Sequence, residues 1–175
     1  AAAPPDRPRA MILAQLAVVA AGQGRTDDVL ALTAKARAIV DAPALDAVAA
    51  TALMNVWRWS DAIPLARDAA RMAPGNSSAW SLLARCLGSS GDDHAALEAA
   101  TTGLELAPRD PDLLRSQATA LAALHRPEAE RALAAYDRYR SPDDTADLRI
   151  ACAAGSPRCA REREQGHTHL LHPMP

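Results

Sequence analysis

Apolar residues recur at three- and four-residue steps along most of the chain, the spacing of amphipathic helices. In the stretch from Ser77 to Asp110, Trp80, Leu83, Ala84 and Leu87 form the stripe of one helix. Gly91 supplies a turn, Ala96 starts a second helix and Pro108 ends it. The same pattern returns at a displacement of 34 residues: Ala62 answers Ala96, Pro74 answers Pro108, Ala69 answers Gly103, and Leu53, Leu87 and Leu121 form a series of three. A fixed period carried through several units marks a repeat architecture.

Neighbouring stretches carry the pattern with substitutions. From Pro43 to Asn76 the matching positions are Ala49, Ala50, Leu53, Ala62, Ala69 and Pro74, but Asp46 replaces a large apolar residue and Trp57 takes the turn glycine's place. Upstream, Leu13, Leu16, Ala17, Ala20, Gly24, Val29 and Ala36 fit a first unit starting near Ala10. Downstream, Leu114, Ala118 and Leu121 open a fourth from Pro111, whose second helix holds Ala132, Tyr136 and Tyr139. Over residues 10–140 these positions resemble the tetratricopeptide repeat, a helix-turn-helix unit. The predicted fold is therefore all-α, a solenoid of about four such helix pairs.

The physics of the pattern leads the same way. Each pair of short amphipathic helices cannot bury its apolar stripes alone, and stacking the pairs supplies the missing core. Small residues at Ala50, Ala62, Ala84 and Ala96 permit close helix crossings, while Pro74 and Pro108 cannot continue a helix and so punctuate the units.

The resemblance implies a function in binding, because the first helices of such units line a concave groove that accepts peptides or partner helices. Carried over position by position, the groove residues are Ala47, Thr51, Met54 and Asn55 from unit two, and Ser78, Ser81, Arg85 and Ser89 from unit three. Unit four adds Asp112, Arg115 and Thr119. The family's clamp for a terminal carboxylate uses several Lys, Asn and Arg residues, and here only Asn55, Arg85 and Arg115 contribute. A smooth lining of small side chains suits a packed helix or an extended apolar segment instead.

After Arg140 the repeat fades. Ser141-Pro142-Asp143-Asp144 reads as an N-cap, a proline in the first turn and acids at the positive end of a helix. Gly155 stops that helix, Ser156-Pro157 starts another, and residues 141–166 form a predicted helical hairpin. Residues 167–175 have no helical period and read as an extended tail. Residues 1–9 are a proline-rich N-terminal segment.

The C-terminal part concentrates Cys152, Cys159, His167, His169 and His172. The two cysteines flank a Gly-Ser-Pro turn, where a disulfide, a thiolate pair on a metal and free thiols are all compatible with the spacing. In an extended tail His167 and His169 share a side, so with His172 or the sulfurs they offer ligands to zinc or copper. Cys86, in the middle of a first-type helix, reads as a small buried hydrophobe.

Composition narrows the function classes. The chain has 175 residues, 49% hydrophobic, with no Phe and a formal net charge of -2. That balance excludes strong nonspecific nucleic-acid binding, which needs clustered excess cation. The longest apolar run, Met11 to Ala21, is too short to cross a bilayer. The Ala- and Pro-rich start, Ala1 to Pro5, fits either the processed end of an exported protein, periplasmic or extracellular, or a truncation. No phosphate loop, metalloprotease helix or nucleophile elbow is present, so the chain is expected to bind rather than catalyse. The partner is a protein or peptide, and a second copy is the alternative. The stretch Met11 to Val19 is apolar almost all round, which suits a helix covered on both sides. Head-to-tail assembly into rings or filaments would place Leu16, Leu170 and Leu171 at the joints.

Overall fold

The computed structural model describes residues 6–139. Among them the chain forms eight helices and no strand: α1 Arg7–Gly22, α2 Thr26–Ile39, α3 Pro43–Asn55, α4 Trp59–Met72, α5 Ser77–Ser90, α6 Asp93–Leu106, α7 Pro111–Ala123 and α8 Ala129–Tyr136. Each odd-numbered helix pairs with the next, and α1, α3, α5 and α7 also touch one another in order, forming one continuous layer. This is the helix-turn-helix solenoid that the repeat predicts. The predicted hairpin, the tail with Leu170 and Leu171, and the cysteines and histidines at 152, 159, 167, 169 and 172 lie outside the described residues.

Local chemistry sets the helix starts. Asn76 accepts a hydrogen bond from the Ser78 amide at 3.1 Å, Asp92 from Ala95 at 3.2 Å, and Asp110 from Asp112 and Leu113 at 2.9 and 3.2 Å. Each oxygen satisfies donors that a first helical turn leaves open. Pro43 and Pro111 occupy first-turn positions, where the missing N–H costs nothing. The first unit begins earlier than its apolar stripe suggests. Asp6 accepts from the Arg9 amide at 3.2 Å and Pro8 follows it, so α1 starts at Arg7 rather than near Ala10. At the other end α8 stops at Tyr136, and Tyr139 lies beyond it, exposed.

All four intra-unit turns are built alike. One residue in each takes a left-handed backbone: Gly24 (φ 72°), Trp57 (63°), Gly91 (87°) and His125 (52°). Its amide reaches back to Ala21, Met54, Gly88 or Ala122, and the next amide to Ala20, Leu53, Leu87 or Leu121. This pair of bonds closes the helix C-terminus as in the Schellman motif. Glycine adopts that backbone freely, whereas tryptophan and histidine are strained there.

The core is made largely of alanine. Ala17, Ala20, Ala50, Ala62, Ala66, Ala100 and Ala118 are among the fully buried positions. Small side chains bring the helices close: a Cβ on Gly88 would lie 3.7 Å from Ala96 Cβ, and one on Gly103 only 2.5 Å from Leu113 Cδ2. Trp80 ties α5 to the preceding turn by donating its indole N–H to the Pro74 carbonyl at 2.9 Å.

Within the single chain, helix α1 is covered on one side. Its alanines, Ala10, Ala14, Ala17, Ala20 and Ala21, face inward. Met11, Ile12, Leu16, Val18 and Val19 stay exposed, Leu16 at 48%. Close packing against α2 and α3 selects the small face, so the larger apolar residues point away.

Asp46 is the fully buried exception in an apolar position. Arg37 Nη1 lies 3.6 Å from it, but the same guanidinium also serves Asp68 at 3.3 Å and Asp41 at 3.9 Å. Neither Asp46 oxygen has a hydrogen-bond partner. Burial raises the Asp46 carboxyl above its ordinary value, outweighing Arg37 and Arg71; Asp68 and Asp41 add to the rise.

Candidate partner-binding groove

The layer of first helices forms the wall of a groove, because helical spacing sends every third or fourth residue of α3, α5 and α7 to the same side. Two adjoining hollows lie along it. One, of about 370 Å³, holds Ala47, Thr51, Ser78, Ser81, Arg85 and Asp112. The other, of about 630 Å³, holds Met54, Asn55, Arg85, Ser89, Arg115 and Thr119. The structure thus gathers all eleven residues that the repeat assigns to the groove, with Arg85 lining both hollows.

The two hollows differ in charge. Asp110 joins Asp112 in the smaller one. Arg85 and Arg115 stand together in the larger one. Arg115 is held by Asp112 at 3.4 Å. Arg85 instead donates to Met54 Sδ at 3.4 Å and pairs with no carboxylate among the described residues. Thr51 and Thr119 return their hydroxyls to the Ala47 and Arg115 carbonyls, both at 2.8 Å, and leave the groove surface smooth.

Two residues of the larger hollow escaped the position-by-position transfer. Trp57 and Trp59 form its rim, with ring centroids 5.5 Å apart and planes at 79°, an edge-to-face contact. Trp57 belongs to a turn and Trp59 to the start of a second helix, so neither falls in a first-helix pattern. The signal available in the sequence was the replacement of a turn glycine by the largest side chain.

Cys86, fully buried on α5 behind Arg85, has its thiol pushed up to about 11 by burial, which keeps it protonated and inert. Among the described residues no cluster of His, Cys, Asp and Glu has the arrangement of a metal site. No helix among them is long and apolar enough to cross a membrane.

Among curated proteins, none matches the chain. The family model of the tetratricopeptide repeat matches residues 58–120, from the turn before α4 almost to the end of α7. That family mediates protein–protein interactions and is in general a non-enzymatic scaffold. Residues 58–120 are a tetratricopeptide repeat segment, set in a solenoid whose other described units have the same build.

Proposed function

We propose that the groove of α3, α5 and α7 holds an extended segment of a partner protein and that the chain acts as a scaffold without catalysis. The observation that carries this reading is that two hollows lined by α3, α5 and α7 meet at Arg85, which belongs to both. A rigid wall of short side chains suits an extended chain, which it meets at little cost in side-chain ordering.

The test is selection of short random peptides against the full chain, followed by binding measurements on Thr51→Arg and Thr119→Arg. Both threonines are exposed, so a long side chain there blocks the groove without entering the core. Selected peptides should lose binding to either variant. Peptides that bind both variants as well as the parent chain overturn the groove reading.

The outward face of α1 favours a second reading, association of copies of this chain. Met11, Ile12, Leu16 and Val19 leave four large apolar side chains of one helix exposed, the kind of grouping that marks an association surface. Because Leu16 is 48% exposed, Leu16→Asp leaves the core of unit one intact. Sedimentation of the parent chain as an oligomer that Leu16→Asp disperses would support this reading, with Leu170→Asp testing the tail's share. A monomeric parent chain at micromolar concentration would end it.

A further inference from the structure

We infer that Trp57 is a recognition residue, and that the larger hollow reads an internal acidic residue of the partner segment together with an apolar or aromatic neighbour. This rests on the groove reading and names the chemistry of its occupant.

The first observation is the strain at Trp57. Its turn makes the same two backbone bonds as the Gly24 and Gly91 turns, which need no side chain. A bulky residue at φ 63° is disfavoured, and strain of this kind gathers at ligand clamps. The fold recovers little from the indole, which is 78% exposed and makes an edge-to-face contact with Trp59. Its position on the rim of a hollow of about 630 Å³ gives the side chain a use that packing does not.

The second observation is the cation opposite. Arg85 is half-buried, faces the same hollow, and has a sulfur as its hydrogen-bond acceptor. A partly desolvated guanidinium that pairs with no carboxylate among the described residues is complementary to one brought by a ligand. Arg115, already held by Asp112, adds positive potential at the same wall. With Trp57, Trp59 and Met54 forming the apolar side, the hollow offers one charge contact and one aromatic contact.

The carboxylate belongs to a side chain within the segment and not to a chain end. Arg85 lines both hollows, so a segment whose acid sits at Arg85 continues past it into the smaller hollow. There Asp110 and Asp112 repel further acid and favour a basic or neutral residue. The groove therefore also sets the direction of the bound chain.

The test uses two displayed libraries of short random peptides, one fused at both ends and one with free C-termini, selected against the full chain. The internal library is expected to yield peptides with Asp or Glu beside Phe, Trp, Leu or Met. Their affinity, read by fluorescence anisotropy, should fall about tenfold for Arg85→Gln, with partial recovery in Arg85→Lys. It should fall about fivefold or more for Trp57→Gly, a variant that melts higher than the parent because glycine relieves the turn. Binders without an acid, or binders indifferent to Arg85→Gln and Trp57→Gly, overturn the inference. Enrichment in the free-end library alone overturns the internal segment. If peptides lose binding to Thr51→Arg yet ignore Arg85→Gln and Trp57→Gly, the groove reading stands and this inference alone fails. If neither library yields a peptide, both fail.

Discussion

Units two and three follow one backbone and differ at fixed positions of it. Where unit three has Trp80, packed against the core and hydrogen-bonded to Pro74, unit two has Asp46, buried without a hydrogen bond. Where unit three turns on Gly91, unit two turns on Trp57. Unit three is consistent at every level, with apolar stripe, cap, turn and small crossing residue all favouring the same structure. Unit two breaks the pattern inside the core and at the groove, and its helices also lack side-chain caps, with Pro64 set within α4. The outer departure has a use for a ligand. The inner one ties units one and two electrostatically, since Arg37 of α2 reaches both Asp46 of α3 and Asp68 of α4.

The sharpest way to break the parallel is at the closest helix approach. Gly103→Leu puts a side chain where even a Cβ meets Leu113, and should destabilise the chain by about 3 kcal/mol in urea unfolding. Ala96→Leu, at the α5–α6 crossing, should cost about 1 to 3 kcal/mol. A loss below about 0.5 kcal/mol for both would mean the crossings are looser than the alanine core implies.

Asp46→Leu makes unit two conform to unit three and should gain about 1 to 3 kcal/mol at neutral pH, since Arg37 keeps Asp68 and Asp41. The pH course checks the cause. With its folded-state pKa raised above the ordinary 3.8, Asp46 binds its proton more tightly in the native chain than in the unfolded one. The parent chain therefore loses stability as pH rises from about 3.8 through the raised value, and above that the whole cost is present. The gap between Asp46→Leu and parent should widen over that window and then level. A gap that is flat with pH would mean the Asp46 carboxyl carries no burial penalty.

Smaller effects attach to the turns. Trp57→Gly and His125→Gly should each gain about 1 kcal/mol, and Gly91→Ala should lose a similar amount. Equal melting of Trp57→Gly and parent would remove the strain on which the recognition role partly stands.

Much of this architecture was legible in the sequence because a period fixes faces as well as elements. Once Leu53, Leu87 and Leu121 are in register, the groove side of α3, α5 and α7 follows from helical geometry alone, and the structure gathers those positions into two joined hollows. Asn76, Asp92 and Asp110 escaped the repeat reading, although their residue types announce a helix start and the structure shows each capping one. The left-handed turn at His125 had no such announcement, since its geometry is imposed by the helices on either side. The direction of α1's apolar residues was equally hidden. A stretch apolar all round carries no moment, and close packing alone decided that its alanines turn inward. Trp57 was visible as a departure, but its place on the groove rim depended on how the turn of unit two lies beside α5 and α7.

The apolar core is divided in a way that bears on how the groove breathes. One cluster runs through the first three units and takes in Ala120 of α7, while a second joins Leu114, Ala118 and Leu121 to α8, and Leu97 of α6 rests against both. Local opening follows such seams. The wall bearing Arg115 and Thr119 lies beside this seam, and a bound segment spanning it would slow amide exchange there by clasping the α7–α8 pair to the rest.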